Sequence, residues 1–227
     1  MPPTGPNQKK RFSSKGKDEL NLADWRISLP QRQQPRKKDG GKVDYAEFVI
    51  ERSGSTQKVT IEAPARVGLP SSLEEDVLIA LQTYAKMANN FEQQLVHFCP
   101  LELVRILRWT PNKKSYDRLR DSLKRLVAVT VTYELTWFDK QTADVQPTYV
   151  TGILSEANFV QRRGRRKNDS VPDSHFEWTN NFYQSLKSGN LADLDLELYF
   201  KLRRPGAKQL YRHLNKKWFG GRRPVPY

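Results

Sequence analysis

Apolar residues along this chain recur at two spacings, one near 3.6 residues and one of two, and each change of spacing marks an element boundary. The period of two comes first. Tyr45–Glu51 and Lys58–Glu62 read as the arms of a β-hairpin turning through Arg52-Ser53-Gly54-Ser55-Thr56, with Val59 and Ile61 inward. Helical spacing follows in Leu73, Val77, Leu81, Tyr84 and Ala88. That helix opens at Pro70-Ser71-Ser72, where Ser72 and Glu75 have the spacing of a capping box, and it stops at Asn89-Asn90. Leu95-Val96-His97-Phe98 predicts a short strand. Pro100 starts a second helix with Leu101, Val104, Ile106 and Leu107 inward, and Pro111 ends it near Trp109.

After the turn Thr110–Ser115 comes a third helix. It gathers Tyr116, Leu119, Leu123, Leu126 and Val127 on one face and Arg118, Asp121 and Arg125 on the other, with Lys114 in register. Past Ala128 the period returns to two: Val129, Val131, Tyr133, Leu135 and Trp137 alternate with polar or outward residues. Asp139–Gln146 turns the chain, Thr148–Val160 reads as the returning strand, and His175–Thr179 as a further one. Asn180–Lys187 predicts a short helix. Leu194–Phe200 alternates as a strand does, with a helix as the alternative. Pro205–Trp218 is the last helix, apolar along Leu210, Tyr211, Leu214 and Trp218.

Helix, tight turn, helix and then hairpins is the order of a winged helix-turn-helix domain, so the expected class is α+β. The expected layout is a disordered basic tail over 1–42, too poor in large apolar groups to offset ordering entropy. A winged-helix domain with an N-terminal β-hairpin and a basic wing follows over 43–179. Residues 180–227 form the beginning of a second, truncated winged-helix-like module. Within the tail, Leu20, Leu22, Trp25 and Ile27 could dock on the body or on a partner.

Charge changes the picture more than composition does. The net charge is +14, yet residues 43–160 hold 13 basic and 15 acidic residues. Residues 201–227 hold nine basic and no acidic ones, and five cations crowd into 162–167. Such clustering suits a polyanion, with nucleic acid ahead of an anionic membrane surface. No run approaches the roughly 18 apolar residues of a spanning helix, and the N-terminus has no apolar core of a secretory signal. The single cysteine, Cys99, forbids an internal disulfide or a cysteine zinc cluster and reads as a small buried residue in a cytosolic-type protein.

Catalytic and cofactor patterns are missing from the sequence. His97, His175 and His213 have no metal-ligand spacing, and no phosphate-binding loop or nucleophile elbow occurs, so neither an enzyme nor a cofactor is expected. A nicking enzyme using Tyr116 or Tyr211 would need a histidine pair. For DNA the residue types are present. Arg118 and Arg125 suit guanine edges, with Lys114 and Lys124 flanking. Asp121 either accepts from cytosine or braces Arg125 at i+4, while Arg120 turns inward. Lys113, Lys114 and Ser115 lie at the turn, where the lysines would touch phosphates. Arg162, Arg163, Arg165, Arg166 and Lys167 would reach backbone or minor groove as a wing.

Four stretches, in order, resemble the plasmid replication initiator protein A family of winged-helix Rep-type initiators. They are Asp18–Leu22, Gly68–Ser71 with Asp76–Leu81, Leu107–Trp109 through Ser115–Leu119 and Ser122–Leu126, and Leu194–Leu196 followed by Gln209–Leu214. The resemblance implies paired winged-helix modules in the bacterial cytosol that bind repeated double-stranded origin sites. It also implies recruitment of host replication initiation and helicase proteins, and control by a homodimer. Related initiators continue past the last helix into a second helix-turn-helix, so this chain is expected to be an N-terminal portion or a shortened protein. A winged-helix transcriptional regulator and a dimerisation or protein-interaction module remain the alternatives.

Overall fold

The structure, a computed structural model, describes residues 14–30, 40–52, 54–160 and 174–219. Its centre is helix α2 (Ser72–Asn89), buried nearly all round through Val77, Leu78, Ile79, Ala80, Leu81, Gln82 and Thr83. A helix with no wet face must be wrapped by other elements. Around it run β1 (Lys15–Glu19), α1 (Leu20–Asp24), β2 (Tyr45–Arg52), β3 (Ser55–Glu62), β4 (Leu95–His97), α3 (Pro100–Ile106) and α4 (Lys113–Ala128). The chain continues through β5 (Thr130–Asp139), β6 (Asp144–Gly152), β7 (Leu154–Asn158), β8 (His175–Trp178), α5 (Asn180–Lys187), β9 (Leu191–Asp195), α6 (Leu196–Lys201) and α7 (Pro205–Phe219). Antiparallel pairing gives three sheets, ordered β2-β3-β5-β6, β4-β8-β7 and β1-β9.

The capping box of α2 forms one residue earlier than its spacing suggested. Ser71 is the cap and Glu74 reaches back to its N–H at 2.7 Å. That shift releases Glu75 to point inward, where it accepts from Ser28 Oγ at 2.8 Å. In β5 the alternation breaks at a bulge between Glu134 and Trp137, where Leu135 has φ 54°. Leu135 is therefore turned out while Thr136 and Trp137 are both buried, and Trp137 stacks on Tyr149 at 4.5 Å.

The single strand expected over Thr148–Val160 is two strands in two sheets. It breaks at Ile153, because β6 pairs with β5 and β7 with β8. Thr179 Oγ1 donates to the carbonyl of Gly152 at this corner (2.8 Å). The ambiguous 194–200 segment also divides: Asp195 ends β9 and caps α6, accepting from Glu197 N and Leu198 N at 2.8 and 3.0 Å. Cys99 is exposed rather than buried, since it is the N-cap residue of α3.

Part of the expected tail is interior. β1 pairs with β9 from Lys15↔Asp195 to Glu19↔Leu191, and Leu22 and Ile27 are 1% exposed. A Cβ on Gly16 would lie 2.4 Å from Leu196 Cδ2, so this register admits only glycine there. Glu19 is fully buried, capping α1 through Leu22 N (2.9 Å) and accepting from Asn190 Nδ2 and Ser185 Oγ; burial raises its pKa above the usual carboxylate value. Residues 1–13 and 31–39 lie outside the described part. Leu22, Ala23 and Ile27 with the carboxylates of Asp18 and Glu19 are buried in this segment, so a composition averaged over 1–42 understates its order. One continuous cluster of buried side chains runs from Leu22 to Tyr199, across the boundary drawn at 179/180. Leu22→Ala is therefore expected to cost about 2–5 kcal/mol in chemical denaturation, as an interior truncation does; a loss below about 1 kcal/mol would return this segment to the surface.

Candidate nucleic-acid interface

α3 ends at Leu107, and Arg108 takes the left-handed conformation (φ 58°) that reverses the chain. Asn112 then caps α4, its Oδ1 accepting from Ser115 N at 3.0 Å, and Ser115 Oγ donates to Thr110 O at 2.7 Å. Ser115, expected beside the phosphate-touching lysines, is thus a buried brace of the turn. Leu119, Ser122, Leu123 and Leu126 form the inward face of α4, Tyr116 is half-buried, and Val127 lies outside with 36% exposure.

The outward face differs from the expected stripe in one decisive residue. Arg125 does not point to solvent. Its Nε and Nη2 donate to Glu74 Oε1 at 2.9 and 2.8 Å, and the same oxygen accepts from Ser122 Oγ at 2.8 Å. Glu74 is fully buried, so its N-capping carboxylate also latches α2 to α4. Asp121 does not brace Arg125. It lies 3.8 Å from Arg120, whose guanidinium also bonds Asp117 at 3.0 Å and stays 42% exposed instead of turning inward.

What α4 leaves outside is Lys113, Lys114 and Lys124, all exposed and without an ion-pair partner among the described residues. Lys113 and Lys114 occupy the first turn, which holds no acidic residue. The helix dipole disfavours positive charge there, so an external anion would improve their situation. Arg118 lies half-buried with its guanidinium 5.1 Å from the centre of the Trp109 ring.

Arg118 and Trp109 open into a cleft of about 560 Å³ bounded by Ser71 and Ser72 at the start of α2 and by Arg203 and Lys208 near α7. Neither Arg203 nor Lys208 is among the site residues expected from the sequence, which places the last helix over Pro205–Trp218 without assigning its cations a partner. Much of that stretch is neutralised internally. Lys201, Lys208, Arg212 and Lys216 pair with Glu197, Asp76, Asp18 and Asp24. Only the i,i+4 pair of Lys201 and Glu197 was readable in the sequence.

Arg162, Arg163, Arg165, Arg166 and Lys167 lie outside the described residues. The ends of their loop are described: β7 and β8 are paired neighbours, and Val160 N donates to Ser174 Oγ at 2.9 Å. β7 packs against α4. Among the described residues no His, Cys, Asp and Glu side chains gather as metal ligands, and no helix is long and apolar enough to cross a membrane.

A family model, replication initiator protein A, matches residues 27–224. By sequence, no curated protein matches the chain. Two solved structures share its fold. A selenomethionine crystal structure of domains 2 and 3 of RctB has a TM-score of 0.56 at 13% identity, covering 88% of this chain and 71% of that one. A second crystal structure of RctB domains 2–3 has a TM-score of 0.52 at 12% identity, covering 86% and 68%.

Proposed function

Because the chain belongs to the replication initiator protein A family, we propose that it binds double-stranded DNA at the repeats of a plasmid origin through a winged-helix core. In this reading α2, α3 and α4 are the three helices and β4-β8-β7 is the small sheet, while the wing expected at Arg162–Lys167 lies outside the described residues. The β5–β6 hairpin is an insertion between α4 and β7. The protein acts by binding and by assembling host replication initiation and helicase proteins, with no chemistry of its own, and pairs as a homodimer.

The observation that carries the reading is the set of unpaired lysines on α4. Lys113 and Lys114 sit at a helix start that repels them, and Lys124 lies further along the same helix. All three suit phosphates, which position a helix in the groove without reading sequence. Arg118, held over Trp109 at the cleft mouth, is the remaining arginine suited to a base edge or phosphate. Arg125 is not assigned as a reader, because its Nε and Nη2 donate to Glu74.

Replacing Lys113, Lys114 and Lys124 together by glutamine should reduce the slope of log affinity against log salt by about two to three. Fluorescence anisotropy on duplex DNA across a salt series measures it. An unchanged slope would remove α4 from the interface. Arg118→Ala should weaken binding to an origin repeat more than to unrelated duplex, and equal loss on both would reduce Arg118 to a backbone contact.

A further inference from the structure

The four-stranded sheet has two edges, finished differently. β6 carries Pro147, and Asn181 Nδ2 from α5 covers the carbonyl of Val150 at 3.1 Å. Proline and a covering helix are the usual ways to blunt an edge. β2 has neither. Ala63 N donates to Asp44 O at 3.0 Å, which with the β2–β3 register places Ala46, Phe48 and Ile50 in the hydrogen-bonded pairs with β3. The N–H and C=O groups of Glu47, Val49 and Glu51 therefore point away from the sheet, and no described residue pairs with them.

Beyond this edge lies a groove of about 630 Å³ with Phe48 and Ile50 on one side and Trp25, Gln209 and Leu210 on the other. Ile50 is 50% exposed and Leu210 57%. We propose that β2 and this groove dock an extended partner segment in which apolar residues alternate with lysine or arginine, added as a fifth strand. Main-chain bonds to Glu47, Val49 and Glu51 give the affinity, and alternation of side chains gives the selectivity. Residues of one parity enter the groove between Ile50 and Leu210. Those of the other parity lie beside the exposed carboxylates of Glu51 and of Glu47, whose Oε2 also accepts from Tyr45 Oη at 2.7 Å, and this acidic edge favours cations.

Charge excludes a second copy of β2: any symmetric antiparallel register gathers Glu47 and Glu51 of both copies, four carboxylates, onto one face. Nor does the chain supply the segment itself, because residues 1–13, 31–39, 161–173 and 220–227 contain no proline-free alternation of apolar and basic residues.

Fluorescence anisotropy of the full chain with a short labelled peptide alternating valine and lysine tests the proposal, against the same peptide with glutamate for lysine. The valine–lysine peptide should bind saturably and the glutamate peptide should not. Val49→Pro removes only an outward N–H and should weaken binding by about tenfold or more. Glu47→Lys with Glu51→Lys, at exposed positions, should reverse the preference whatever proline does to folding. Affinity surviving both variants would overturn the proposal. So would a dimer in sedimentation that Val49→Pro dissolves, since the edge would then belong to a second copy.

Discussion

Arg212→Ala is expected to remove about 3–5 kcal/mol of stability. The side chain is 2% exposed and forks onto Asp18, Nε to Oδ2 and Nη2 to Oδ1, both at 2.8 Å. Its Nη1 lies 3.6 Å from Glu75 Oε2. Alanine would leave Asp18 and Glu75, 1% and 4% exposed, facing one another across the vacated volume. Burial already raises the Glu75 carboxyl above its usual value despite Arg212 and Arg26 beside it, so removing Arg212 adds to a penalty the site carries. The loss comes from stranded charge rather than from the worth of the pair. Arg212→Met combined with Asp18→Leu should therefore recover most of it. Urea denaturation of the single and paired variants decides the matter; a single-variant loss below about 1 kcal/mol would show that water reaches the carboxylates.

Arg125→Ala is expected to cost about 3 kcal/mol, because the buried Glu74 carboxylate would lose the guanidinium that donates to its Oε1. This prediction separates two roles that sequence treats alike. If Arg125 holds α4 to α2, its variant melts earlier but, at a temperature where it remains folded, binds duplex DNA as the parent does. If it reads bases, the variant keeps its stability and loses discrimination between an origin repeat and unrelated duplex. Melting temperature and anisotropy on the same sample distinguish these outcomes. Glu74→Gln should reproduce part of the melting loss without touching the outer face of α4.

The sequence made local periodicity legible and long-range pairing illegible. Helices α2 and α5 and strand β2 fall where spacing and capping put them, within a residue or two, while β3 begins at Ser55 rather than Lys58 and α4 at Lys113, inside the expected turn. Errors arose where distant residues decide. The break at Ile153 exists because β7 has β8 to join, and the inward turn of Arg125 exists because Glu74 lies 51 positions earlier. Neither partner is visible in a local window. The exposure of Lys113, Lys114 and Lys124 was legible because the outer face of an amphipathic helix follows from local spacing alone. Arg203 and Lys208 were missed because the cleft they line is assembled from α2, the α3–α4 turn, α4 and α7. Of the basic tail, the sequence singles out Leu20, Leu22, Trp25 and Ile27 as able to dock on the body or on a partner; that the body receives them, and that β1 joins β9, depends on residues too distant to be read locally.

The β1–β9 strand pair also sets a timetable for synthesis on the ribosome. Lys17 bonds Asp193, a separation of 176 positions, and Asp18 meets Arg212 194 positions later. Contacts so distant close last, after local helices and hairpins have formed. An emerging chain must keep Leu22, Ile27 and the Asp18 carboxylate waiting until α7 has been translated. During that interval the groove destined for β1 lies open on a nascent chain, where its apolar lining invites chaperones or neighbouring chains. The packed core around α2 would thus be completed only after nearly all of the described chain has left the exit tunnel.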